Sequence, residues 1–212
     1  AAILLLRRGL PNEAPAPAAE TVDDAAPRAS GRGFPLLLAI GILDSATRMG
    51  FLTFLPFLLR AKGADLPVIG VALSLIFAGG AAGKLACGFL GARLGVVPAI
   101  FLTEGLTAAG ILILLPLSLM AALVVLPLVG IVLNGTSSVL YGTVPELVAA
   151  DRRARAFSIF YTGTVGAGAL SPALYGLISD AAGVSRMMVI VAAAVLLTLP
   201  LSWALRPALR RG

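Results

Sequence analysis

Six long apolar runs, approximately Phe34–Leu59, Pro67–Leu90, Val96–Pro116, Ser118–Val144, Ala156–Ser179 and Met187–Leu205, account for most of this chain of 212 residues. At about 1.5 Å of rise per residue, each is long enough to cross roughly 30 Å of hydrocarbon as a helix. Inside lipid the backbone has no water to bond, so a helix that satisfies its own N–H and C=O groups is the structure such runs can form. Charged residues are 12% of the chain and apolar ones 59%, whereas soluble domains hold about 25% and 45–50%. These runs exclude a soluble globular domain. They predict an all-α, polytopic membrane protein with six transmembrane helices.

Basic residues orient the spans. Eleven of them (Arg7, Arg8, Arg28, Arg32, Arg93, Arg152, Arg153, Arg155, Arg206, Arg210 and Arg211) fall on one side, and Arg60, Lys62 and Arg186 on the other. The excess of basic residues on cytoplasmic loops then puts both ends of the chain, the Gly91–Gly95 turn and the Pro145–Arg155 loop in the cytoplasm. Residues 1–33 read as the end of a preceding helix plus a cytoplasmic linker, because Gly9–Arg32 is rich in Ala and Pro with few large apolar residues. Residues 34–205 form the bundle, and 206–212 a cytoplasmic tail. The net charge of +6 is accounted for by this topology. Its arginines are dispersed without interleaved aromatics, which speaks against a nucleic-acid partner. The lipid bilayer is the first partner. Arginine in place of lysine, with abundant Ala, Gly and Pro, suggests GC-rich codons and a bacterial source, hence the plasma (inner) membrane.

Histidine is absent and Cys87 is the single cysteine. That removes intrachain disulfides, Cys-pair zinc sites and nucleophile–histidine pairs, so no enzyme, metal site or cofactor is expected. A nucleotide-binding loop of the G-x-x-x-x-G-K-[ST] kind is also missing from the sequence.

Four ionisable residues lie inside spans: Asp44, Arg48, Lys84 and Glu104. Each costs about 2.5–3.5 kcal/mol at a helix centre, so such groups face partners or a water-filled path. Asp44 and Arg48, at i and i+4, share a face with the acid in the better N-terminal position for an ion pair. Two readings stand: mutual neutralisation for insertion, or a substrate or proton site open to a central cavity. Lys84 and Glu104 lie at similar depth either side of the Gly91–Gly95 turn, which predicts an interhelical structural pair, with Glu104 also a secondary proton carrier. Asn134, Ser138 and Tyr141 follow at i, i+4 and i+7, a polar stripe that either joins helices or lines a path.

Small residues mark close packing. Gly79 and Gly83 in the second span, and Gly166 and Gly176 in the fifth, fit contacts between closely approaching helices, while Pro172 removes a backbone donor and can kink the fifth span. Gly88 and Gly95 at the end of the second span match Gly176 and Gly183 at the end of the fifth. Three spans separate the two turns, which predicts an inverted 3+3 repeat.

The Gly88–Gly95 turn resembles the cytoplasmic motif G-x-x-x-D-R-x-G-R-R of the major facilitator superfamily. Gly88, Arg93 and Gly95 match, while Ala92 replaces the acid and Val96 and Val97 the trailing basic pair. Val144-Pro-Glu-Leu-Val, Asp151-Arg-Arg-Ala-Arg155 and the glycine-rich span ending Ser171-Pro-Ala-Leu-Tyr-Gly-Leu-Ile-Ser-Asp180 are also similar to that family's tenth and eleventh helices. The resemblance implies that the six spans are helices seven to twelve, half of a transporter whose N-terminal six-helix half is the missing partner. It also implies a cavity lined by Asp44, Arg48, Asn134, Ser138 and Tyr141, and a cytoplasmic charge cluster of Arg93 with Glu146, Arg152, Arg153 and Arg155. The implied activity is secondary transport of a small molecule by alternating access, with proton-coupled efflux as the leading expectation. A metabolite importer, or a self-contained six-helix channel or scaffold, is the alternative.

Overall fold

The computed structural model describes residues 32–210, so most of the expected linker lies outside the described residues, as does the end of the tail. The helices are α1 (Gly33–Ala61), α2 (Leu66–Leu94), α3 (Val96–Leu114), α4 (Leu119–Thr143), α5 (Arg153–Ala182), α6 (Val184–Leu196) and α7 (Thr198–Leu209). Two short 3-10 turns, Val144–Glu146 and Ala150–Arg152, lead from α4 to α5. Gly33, assigned by sequence to the linker, opens α1, and the expected tail continues as helix to Leu209.

Local sequence sets the ends. Asp65 caps α2 by accepting the Val68 N–H at 3.0 Å, with Pro67 in the first turn where no donor is needed. Ser118 caps α4 through the Ala121 N–H at 3.4 Å. Gly95 (φ +84, ψ 164) and Gly183 (φ +85, ψ 155) make the tight α2–α3 and α5–α6 corners, in a region of backbone space open essentially to glycine alone. At each corner the glycine N–H donates to the carbonyl four residues back, Gly91 O at 3.0 Å and Ser179 O at 2.8 Å. The two glycines matched in the sequence therefore perform the same backbone task.

Five segments are long and apolar enough to cross a membrane: Gly33–Ala61, Leu66–Leu94, Val96–Leu114, Leu119–Glu146 and Val184–Leu209. The last is α6 and α7 together, interrupted at Leu197. α5 is as long at 30 residues, but Thr162, Thr164, Ser171, Ser179, Asp180 and four glycines dilute its hydropathy. Its expected role as a sixth span rests on length rather than apolarity.

The most extensive packing is of α2 against α4 and of α1 against α5; α3 packs on α4 and α6, and α1 also meets α6 and α7. Glycines permit the first of these. A Cβ on Gly79 would fall on the Pro127 carbonyl, one on Gly83 on the Ile131 carbonyl, and one on Gly130 on the Ile76 carbonyl. Gly79 and Gly83 are thus packing positions as expected. Gly166 is not: nothing lies within 4 Å of where its Cβ would be, because α5 turns that face away from its neighbours. Gly176 has only the ordinary contact of Phe54 Cζ at 3.7 Å, and Pro172 sits within an uninterrupted α5.

The apolar interior is divided in two. One cluster contains Phe51, Leu55, Ile76, Ile111, Leu126 and Val191, and the other Leu37, Ile40, Ile100, Leu140, Phe160 and Leu205. Between them along α1, α3 and α4 lie Asp44, Ser45 and Thr47, then Thr103, Glu104 and Thr107, then Asn134 and Thr136, all buried. A polar layer thus crosses the bundle between two apolar ones.

Candidate functional site

The acids meet in that layer. Asp44 on α1 and Glu104 on α3 are 5% and 1% exposed, and their carboxyl groups are close neighbours in this layer. Thr136 of α4 reaches Glu104 and donates to Thr103 Oγ1 at 2.8 Å, so a hydroxyl chain borders the pair. Four buried polar atoms here lack partners: Glu104 Oε1, Thr47 Oγ1, Thr107 Oγ1 and Arg48 Nε. Thr47 and Thr107 each follow an acid by three residues and so share its helix face. Buried polar atoms are normally hydrogen-bonded, so four unpaired ones in one layer set it apart from the apolar interior on either side.

Asp44 also borders a small cleft of about 10 Å³, roughly the space of one water. Ser45 and Arg48 of α1, Ser137 and Tyr141 of α4, and Thr164 of α5 line it. The Arg48 guanidinium donates to Ser45 Oγ at 3.4 Å. Tyr141 OH and Thr164 Oγ1 are 3.2 Å apart, and the Tyr141 ring stands edge-on to Phe160 with centroids 5.0 Å apart. Gly41 makes room for that ring, since a Cβ there would overlap Phe160.

Several sequence expectations are redistributed by this geometry. Among the described residues the one ion pair is Arg152 with Asp151 at 3.9 Å, both exposed; Asp44 and Arg48 therefore form no direct bridge, although both face the cleft. Lys84 is exposed, whereas Glu104 is buried beside Asp44. Their expected pair is not made: depth along a hairpin was legible, but the glycine face of α2 turns inward against α4 and leaves Lys84 outside. The polar stripe divides as well. Asn134 faces α2, donating to Gly130 O at 3.2 Å and packing on Gly80, Tyr141 faces the cleft, and Ser137 rather than Ser138 joins it there.

At the expected cytoplasmic end Gly88, Arg93, Glu146, Arg152, Arg153 and Arg155 are all exposed, and no ion pair links Arg93 to Glu146 among the described residues. No ion pair joins the members of the expected charge cluster to one another among the described residues, apart from the local contact of Arg152 with its neighbour Asp151.

Sequence reading missed Thr47, Thr103, Thr107, Thr136 and Thr164. A hydroxyl next to or one turn from an intramembrane acid was the available signal, and Thr103-Glu-Gly-Leu-Thr107 carried both around Glu104.

The model of the Major Facilitator Superfamily matches residues 37–212. The chain belongs to the Major Facilitator Superfamily. Solved structures that share its fold include a crystal structure of the peptide transporter POT, a mutant in complex with sulfate, at 21% sequence identity and a TM-score of 0.74. That match covers 84% of this chain and 38% of the other, so the chain spans well under half of that transporter's length. At this identity the likeness is one of fold. No curated protein matches the chain. As a superfamily member with apolar helices of spanning length, it is a membrane protein of a transporter family and not an enzyme.

Proposed function

We propose that the chain forms the C-terminal six-helix half of a secondary transporter in the bacterial inner membrane, with both its ends cytoplasmic. In this reading α1–α3 and α4–α7 are the two members of an inverted 3+3 repeat. The equivalent glycine corners at Gly95 and Gly183 support it. So does the exchange of partners that the repeat requires, in which α2 on α4 corresponds to α5 on α1. The N-terminal half supplies the other wall of the cavity.

Coupling is by protons, and the observation that carries this reading is the Asp44–Glu104 pair. Two carboxylates buried side by side in a dry layer would repel strongly, and a proton on one of them relieves that repulsion. The pair is therefore suited to take up and release one proton. Asp44 also faces the small cleft beside Arg48 and Tyr141, so a polar group of a substrate reaching into it and the proton contend for one group. Competition of that kind produces exchange, which supports proton-coupled efflux of a small molecule by alternating access.

The test uses the full-length protein in inverted membrane vesicles with an imposed pH gradient, lipophilic cationic dyes such as ethidium as probes, and Asp44→Asn. Dye accumulation that dissipates the gradient in wild type, and fails in the variant at equal membrane abundance, is expected. Undiminished transport by Asp44→Asn across several external pH values would overturn the assignment. Uptake driven in the opposite direction would identify an importer.

A further inference from the structure

Away from the polar layer, the start of α3 and the end of α7 enclose a groove of about 480 Å³. Its floor and one wall are apolar, made by Val97, Pro98 and Phe101 of α3 with Leu94 from the end of α2. The other wall is Trp203 and Arg206 of α7 with Arg210 just past its C-terminal end. Trp203 is 61% exposed. Its ring meets Phe101 edge-on at 6.3 Å between centroids, and the Arg206 guanidinium sits over it at 5.1 Å. Stacking of this kind fixes the guanidinium at the rim while leaving its N–H donors outward. Arg210 follows one turn on, on the same face.

Two arginines thus border an apolar slot that no acidic side chain lines among the described residues. No acidic residue occurs anywhere from position 181 to 212, and neither arginine forms an ion pair among the described residues. In the orientation of the proposed function this end of α7 faces the cytoplasmic leaflet, and the medium along the exposed apolar residues Phe101, Leu102 and Trp203 is lipid. A ligand matched to the groove has a negatively charged head at the membrane surface and an apolar tail directed into the bilayer.

We propose that this groove is a binding site for an anionic phospholipid, with Arg206 and Arg210 on the headgroup phosphate and one acyl chain against Pro98, Phe101 and Trp203. The proposal takes its leaflet from the topology above and is otherwise independent of substrate, direction and coupling ion. Arginines near an anionic membrane surface contribute about 1 kcal/mol each, close to fivefold in affinity. The site should therefore prefer an anionic over a zwitterionic lipid by fivefold or more.

Trp203 is the single tryptophan of the chain and reports on its own site. The full-length protein, with any tryptophan elsewhere replaced by phenylalanine, is reconstituted in phosphatidylcholine vesicles containing increasing fractions of dibrominated phosphatidylglycerol or dibrominated phosphatidylcholine. Half-maximal quenching at a fraction of brominated phosphatidylglycerol at least fivefold lower is expected. Arg206→Gln/Arg210→Gln should bring the two lipids to parity while quenching by brominated phosphatidylcholine stays as in wild type. Should that double variant fail to fold, Arg210→Gln alone is used, and the preference must drop several-fold. Equal quenching by both lipids in the wild type, or a preference untouched by the arginine substitutions, overturns the proposal. Loss of dye transport by Asp44→Asn has no bearing on this readout, so failure of the coupling mechanism and failure of the lipid site are distinguishable.

Discussion

Gly83→Ala tests how the bundle is held. The added Cβ would land on the Ile131 carbonyl of α4, backbone that cannot rotate away, while contact at ordinary distance begins near 3.4 Å. The helices must therefore part by roughly 1 Å, and the dispersion attraction along the seam decays steeply over that interval. Overpacking of this kind costs about 1–3 kcal/mol, offset by up to about 1 kcal/mol because alanine is the better helix former. A net loss of about 1–2 kcal/mol is expected, seen as a lower melting temperature of the full-length protein in detergent. Gly79 lies one turn away and faces the Pro127 carbonyl on the same seam. A separation that admits one methyl largely admits the other, so Gly79→Ala/Gly83→Ala should cost less than the sum of the singles. Gly70, with nothing within 4 Å, is the control: Gly70→Ala should be neutral or slightly stabilising. Loss of stability by Gly70→Ala equal to that by Gly83→Ala, or strict additivity of the seam pair, would refute the steric account.

Gly183→Ala at φ +85 should destabilise by about 1–3 kcal/mol, as should Gly95→Ala, since both force an L residue into glycine's backbone region; thermal melts without such a loss would contradict the corner geometry. Lys62 donates to the Leu115 and Leu117 carbonyls at 2.8 and 2.6 Å, tying the α1–α2 loop to the end of α3. Lys62→Met should lower stability by about 1–2 kcal/mol, after discounting for its partial exposure, and the loss should vary little with salt because the acceptors are uncharged. Lys84→Gln and Glu104→Gln should act additively on stability, whereas a double-mutant cycle with coupling above about 0.5 kcal/mol would restore the pair that depth alone suggests.

The apolar runs determined much by themselves: helices and a membrane. These follow from a one-dimensional quantity, because crossing hydrocarbon demands a length of apolar chain. The corner glycines were legible for a related reason, since a backbone conformation open to glycine leaves glycine in the sequence at a fixed spacing. Which face each helix presents was another matter. Lys84 and Glu104 matched in depth, and Asp44 and Arg48 in periodicity, yet the structure brings Asp44 to Glu104 and leaves Lys84 outside. Helix rotation is set by the best packing of the whole surface, here the glycine seam of α2 on α4 and the aromatic seat of Phe160 on Gly41. A uniformly apolar span carries little amphipathic signal to announce it. The threonines around the acid pair and the basic, aromatic groove of α3 and α7 likewise depend on packing between distant segments, and that only the tertiary structure decides.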